Sequence, residues 1–251
     1  MGKLLPAIEK AFTKLRRKRV SRMVFEQNGG VVCYGPFTGL KLNGNANTSS
    51  GNLGAKTCGL YESEVIEQII KLGPFKDVVN FGAADGYFSL GLLVAGMAQR
   101  SICFEMTEKG RAELAVNARN NGLSEKVVVR GTADDSAGSI LSELQFDPAS
   151  GLVLCDIEGA EFSVLSEKVL SDLKGATLIV ELHDRLMPEG TSLREALVAR
   201  LPDGAKTTFL KGQPPDWTGI PVIEALSDND RALVCSDGRK ILGEWLIVTY
   251  P

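Results

Sequence analysis

Residues 75–96 read FKDVVNFGAADGYFSLGLLVAG. A β-favouring run, DVVNF, passes through the turn Gly82-Ala-Ala-Asp-Gly86 straight into the apolar, helix-forming GYFSLGLLVAGM. A turn of this kind leaves room for a ligand where a side chain would otherwise sit. The same alternation continues downstream. SICFE precedes a helical EKGRAELAVNARNNG, KVVVRG precedes SAGSILSEL, GLVLCD precedes EFSVLSEKVL, and ATLIVELH precedes SLREALVARL. Apolar strands alternating with helices imply an α/β fold: a doubly wound, mostly parallel sheet covered on both faces. KTTFLKG and GEWLIVTY follow with no full-length crossover helix between them, so the sheet is expected to close with an antiparallel last strand.

Open parallel sheets bind ligands at the carboxyl ends of their strands. Those ends carry Asn80 to Gly86, then Glu105, then Thr132 to Asp135, then Asp156 with Glu158 and Glu161, then Glu181, His183 and Asp184. The turn spacing is G-x-x-x-G rather than the dinucleotide G-x-G-x-x-G. A pyrophosphate needs backbone N–H groups at very close range, which the missing middle glycine obstructs. S-adenosylmethionine has no phosphate and needs only room for its amino-acid end, with polar groups for its ammonium and carboxylate. The plainer reading is a tight strand–helix turn whose glycines only pack. Glu105, about 20 residues further on, suits the two hydroxyls of a ribose in either adenosine cofactor. Ala133 and Asp134 frame an adenine or, equally, open a helix.

LVLCDIEGAEFSVL (152–165) delivers Asp156 to the ligand edge, with Glu158, a turn at Gly159, and Glu161 opening the next helix. Three carboxylates within six residues call for water, a cation or a cationic ligand between them. A sulfonium is one such charge and a metal another. His183, the single histidine, ends a strand among carboxylates and reads as a base or a substrate orienter.

The composition is that of a globular protein with 44% hydrophobic and 24% charged residues. Its net charge of −3 argues against nucleic acid for the body. Eight bases against Glu9 give residues 1–25 a charge of +7 and leave −10 for the rest. LLPAIEKAFTKLRRKRVSRM sets Leu4, Leu5, Ile8, Phe12 and Leu15 at helical spacing, a basic amphipathic helix expected to dock on the domain or on a second subunit, with an anionic surface as the alternative. VVCYGPFTGLKL (31–42) reads as two short strands, and residues 43–59 as a loop. The run NTS within that loop is a glycosylation sequon, disregarded because nothing indicates secretion. YESEVIEQIIKL (61–72) reads as a helix stopped by Gly73-Pro74. Five scattered cysteines with no C-x-x-C pair point to a reducing cytoplasm, and no run is long and apolar enough to span a membrane.

YESEV, VVNFGAADGYFSL, the FE of ICFEM, LAVNARNNGL, LVLCDIEGAEFSVL and IVELHD together resemble, in order and spacing, the FkbM family of class I methyltransferases over about residues 60–185. The resemblance implies a seven-stranded, Rossmann-like methyltransferase fold over 61–251, preceded by an N-terminal extension over 1–60. It implies S-adenosylmethionine as donor and O-methylation of a sugar or secondary metabolite. Gly82, Ala84 and Gly86 match the motif turn, Glu105 the ribose contact, and Asp156 the residue beside the reacting centre. Tyr61-Glu62 matches an element packed near the cofactor. Asn80 stands where the family has Asp, losing a charge while keeping an acceptor for the ammonium, and Met106 stands where it has Pro.

Asp156 or His183 is the expected base, with Glu158 and Glu161 shaping the acceptor pocket and the 43–59 loop as a lid. Trp217, with Pro214 and Pro215, belongs either to that pocket or to surface packing. The expected partner is a small-molecule acceptor, with self-association through the N-terminal helix, and no metal ligand is assigned. The alternatives are a non-catalytic protein of the same fold, an NAD-dependent oxidoreductase and a metal-assisted methyltransferase.

Overall fold

The computed structural model describes residues 4–44, 51–236 and 241–250. The chain opens with α1 (Leu4–Gln27), α2 (Leu53–Thr57) and α3 (Ser63–Leu72). The alternating part follows as β1 (Asp77–Phe81), α4 (Tyr87–Val94), β2 (Arg100–Phe104), α5 (Glu108–Asn120), β3 (Val127–Arg130) and α6 (Ala137–Glu143). It continues with β4 (Gly151–Cys155), α7 (Glu161–Val164), α8 (Glu167–Asp172), β5 (Thr177–Glu181) and α9 (Thr191–Ala199). It ends with β6 (Lys206–Lys211), α10 (Pro221–Glu224), α11 (Asp228–Cys235) and β7 (Glu244–Thr249).

The strands form one seven-stranded sheet in the order β3-β2-β1-β4-β5-β7-β6. The pairs among β1 to β5 are parallel, and β7 runs antiparallel between β5 and β6. The expected parallel sheet with an antiparallel last strand is what the chain forms. Side chains alternate cleanly between the two faces. Val78, Cys103, Leu152, Leu154, Ile179, Trp245 and Ile247 meet α3, α4 and α5 on one face. Val79, Phe81, Ile102, Phe104, Val153, Cys155, Val180 and Leu246 meet α6, α8 and α9 on the other. Strands buried on both faces need apolar residues at successive positions, which is why they stand out as unbroken runs.

Three local readings change. Residues 31–42 make a tight turn with a single antiparallel bridge, Val31 to Lys41, in place of two strands. Val32, Phe37, Leu40 and Leu42 from this segment are buried in the same cluster as α4. The helix expected over 161–170 breaks at Leu165, and Ser166 starts a new one by accepting a hydrogen bond from the Val169 N–H. Within the expected 43–59 loop, residues 53–57 are helical and fully buried. The lid reading falls partly and the NTS run (47–49) wholly on 45–50, which lie outside the described residues. Gly54 is there for close approach, since a Cβ on it would meet the Ser21 carbonyl oxygen at 2.9 Å. Instead its N–H donates to Ser21 Oγ at 2.8 Å, locking α2 onto α1.

α1 docks through its C-terminal half, where Val20, Ser21 and Val24 are buried, while Phe12 (69%) and Leu15 (64%), expected on the docking face, are exposed. It meets α2, α10 and α11 around a small cluster of Val20, Val24, Ala55, Ile223 and Val234.

Candidate active site

The turn after β1 is built by its glycines. Gly82 (φ 87°) and Gly86 (φ 84°) are left-handed, and so is Ala84 (φ 46°) between them. A Cβ on Gly82 would lie 2.0 Å from the Asp156 carbonyl oxygen, and one on Gly86 would lie 2.3 Å from a Leu114 methyl. Glycine therefore lets the ends of β1 and β4 touch and seats α4 against α5. Non-glycine residues in this conformation store strain, and two of the four described, Ala84 and Glu158, line the site.

Glu105 crosses from the end of β2 to the turn. One oxygen accepts from the Ala84 N–H at 3.0 Å, and the other from the Thr107 N–H and hydroxyl at 2.8 and 2.5 Å. It lies over Gly110, where a Cβ would meet its carboxyl carbon at 2.6 Å. Carboxylate oxygens accept more than one bond, so it retains capacity for a ligand hydroxyl. Asn80 donates to Ser89 Oγ at 3.0 Å, leaving its carbonyl oxygen as the acceptor it offers the cleft it lines.

That cleft, of about 60 Å³, is walled by Lys56, Tyr61, Asn80, the 82–85 turn, Leu154, Asp156 and Trp245. Lys56 and Trp245 are additions to the residues expected from sequence. Lys56 is buried on α2 and holds both Asp85 oxygens at 2.9 and 2.7 Å. Its ammonium sits 5.1 Å from the ring centres of both Tyr61 and Tyr87. Asp85 also accepts from the Tyr87 N–H at 3.2 Å, tying the start of α4 into the pair.

A second cleft of about 360 Å³ adjoins the first and shares Tyr61 and Asp156 with it. Its further lining includes Glu158, Glu181, His183, Arg185, Leu186 and Leu242. His183 Nε2 faces Glu158 at 3.6 Å, Glu181 at 3.8 Å and Asp156 at 3.9 Å. Nδ1 sits 3.1 Å from Glu161. Glu161, expected in the acceptor pocket, is instead fully buried, accepting also from the backbone N–H of His183 and of Gly159. It holds the imidazole in place. Burial alone would lower the His183 pKa; the Glu161 hydrogen bond and the charges of Glu161, Asp156 and Glu158 outweigh it and raise the value.

One atom each from Asp156, Glu158 and His183 lies within 4.8 Å of the others, a donor set able to hold a divalent cation. Asp184 is turned inward to Arg194, which also binds Glu244. Ala133 is buried, and Asp134 is exposed with its carboxylate held below the usual range by the Ser136 hydroxyl and N–H. Trp217 stacks on Arg231, 4.4 Å from its ring centre, beside α11. Trp245 is the indole at the cleft. All five cysteines are free.

No protein-family model and no curated protein matches this chain. Solved structures do. An O-methyltransferase from Bacillus cereus, crystallised with SAH, is 13% identical with a TM-score of 0.51 over 92% of this chain and 90% of that one. The cofactor-bound Rv0187 from MTB is 16% identical with a TM-score of 0.52 over 80% of this chain and 92% of that one. A tRNA m1A22 methyltransferase from B. subtilis, 12% identical, has a TM-score of 0.46 over 74% of this chain and 65% of that one. At such identities the likeness to the first two shows the fold alone, a Rossmann-like sheet with an antiparallel last strand.

Proposed function

We propose that this chain is an S-adenosylmethionine-dependent methyltransferase acting on a hydroxyl of a small molecule, a sugar or secondary metabolite, in the manner of the FkbM family its motifs resemble. The observation that carries the reading is the pair of adjoining clefts that share Asp156 and Tyr61. The smaller cleft has room for the amino-acid end of a donor and the larger for an acceptor, with a carboxylate between them. The five free thiols favour a reducing compartment, the cytoplasm.

The donor set fits the cofactor. Asn80 offers a carbonyl oxygen for its ammonium, and Lys56, with two of its three donors on Asp85, lines the same cleft and has one left for its carboxylate. Glu105 has acceptor capacity for a ribose, and Asp156 offers a negative charge for the sulfonium. The cofactor supplies an activated methyl group. The protein's work is to hold an acceptor oxygen in line with the carbon–sulfur bond and exclude water. His183 Nε2 or Asp156 would take up the proton of the acceptor hydroxyl. Glu161 keeps Nε2 pointed at the cleft. General-base assistance of this kind contributes about 10²–10⁴-fold.

A second reading has its own observation: Asp156, Glu158 and His183 also suit a divalent cation, which would bind the acceptor oxygen and lower its pKa. Loss of turnover on chelation, restored by Mg²⁺ or Mn²⁺, selects it.

Thermal unfolding with added ligand tests the central reading. S-adenosylhomocysteine at a hundred times its dissociation constant raises the midpoint by about 5–10 °C, and NAD does not. A rise with NAD alone overturns the assignment for an oxidoreductase. No response to either leaves a non-catalytic protein that has kept the fold.

A further inference from the structure

The first half of α1 extends past the packed body and borders α11 at a shallow groove between Phe12, Thr13 and Arg16 and the residues Asn229, Ala232 and Leu233. All described side chains from Glu9 to Arg16 are exposed, whereas Val20, Ser21, Val24 and Phe25 are buried. At 3.6 residues per turn, Phe12, Leu15, Arg19 and Met23, spaced by three or four, share the face opposite the buried one. Three of these are large exposed apolar side chains: Phe12 at 69%, Leu15 at 64% and Met23 at 40%. Beside them lie Lys18 and Arg19, and Lys10 and Lys14 project from the far side of the helix; all four are exposed and without an ion pair among the described residues. Other bases are already used. Arg16 binds Asp230, Arg17 binds Asn52 and the Ser236 carbonyl, and Arg22 binds Glu26.

We infer that this outward face of α1 docks the protein on an anionic lipid surface, with Phe12, Leu15 and Met23 entering the headgroup boundary, Lys18 and Arg19 beside them meeting lipid phosphates, and Lys10 and Lys14 adding to the positive field from the far side of the helix. Charge decides against a second copy, because paired α1 helices would set two strongly basic segments against each other. The apolar stripe decides against nucleic acid, whose backbone offers bulky aliphatic and aromatic groups no counterpart. A helix with bases flanking Phe and Leu lies in a membrane interface and does not cross it. Consistently, no helix among the described residues is long and apolar enough to span a bilayer. The inference is independent of the reaction in the clefts.

Vesicle co-sedimentation tests it, using phosphatidylcholine alone and phosphatidylcholine mixed with phosphatidylglycerol. The full chain sediments with the mixed vesicles and not with the neutral ones, and high salt releases it. Lys18→Gln with Arg19→Gln weakens the partitioning about 25-fold, about five-fold per base. Phe12→Ser with Leu15→Ser abolishes sedimentation while thermal unfolding stays unchanged, since both residues are solvent-exposed. Equal sedimentation with neutral vesicles, or none with either, overturns the inference. So does dimerisation in sedimentation velocity that the Phe12 and Leu15 substitutions abolish, which assigns the face to a second copy. Duplex DNA or RNA binding that survives those substitutions assigns it to a polyanion.

Discussion

Two residues in the clefts show what a single side chain decides. Lys56 and Asp85 are both buried and bonded to each other, so removing one partner strands a charge. Lys56→Met is expected to lower the unfolding free energy by about 3–5 kcal/mol in denaturant titration. Lys56 was illegible in the sequence because it sits in a Gly/Asn/Ser-rich run, and only the fold brings it to Asp85. The strand-end residues Asn80, Glu105, Asp156 and His183 were legible, because a polar group closing an apolar strand is a local signal. His183 carries a pH signature. Its folded pKa is raised, so the imidazolium stabilises the fold, fully below the ordinary value near 6.5. That contribution is lost as the pH rises through the folded value. Urea titrations across this window should show stability falling with pH, and Glu158→Gln should flatten the fall. A pH-independent difference between the two proteins would remove Glu158 from the imidazole's surroundings.

Among the elements, those with unbroken apolar runs or clear caps matched their sequence reading, and those that depend on a distant partner did not. β1, β4 and β5 are buried on both faces, so their composition alone marks them. α2 is helical because Gly54 lets it lie against Ser21 of α1, a contact that no local pattern announces. Gly54→Ala therefore destabilises by about 1–3 kcal/mol, even though alanine is the better helix former. A thermal midpoint equal to or above that of the wild type would mean that α2 gives way to accommodate the methyl. The apolar residues of α1 looked like one face because spacing says nothing about where the body ends. The helix turns Val20 and Val24 inward and Phe12 and Leu15 outward.

For the molecule as a whole, the doubly wound sheet and its antiparallel closing strand were readable from alternation and from the missing crossover helix. The occupant of the larger cleft was not, since part of its lining comes from late segments, Leu186 and 241–243, that carry no periodic or motif signal. The thiols report on the integrity of the packed structure. Cys33 is exposed, while burial pushes Cys58 up to about 12 and holds Cys155 well above its ordinary value. A thiol reagent at mildly alkaline pH should label Cys33 at once and reach Cys58, Cys103 and Cys155 only on unfolding. Mass spectrometry of the labelled peptides checks this. The account stands most directly on calorimetric titration of S-adenosylmethionine into the wild type and Glu105→Gln. It predicts one-to-one binding that weakens about 10–100-fold when the carboxylate becomes an amide. Absence of binding to the folded wild type, or identical affinity in both proteins, would contradict it.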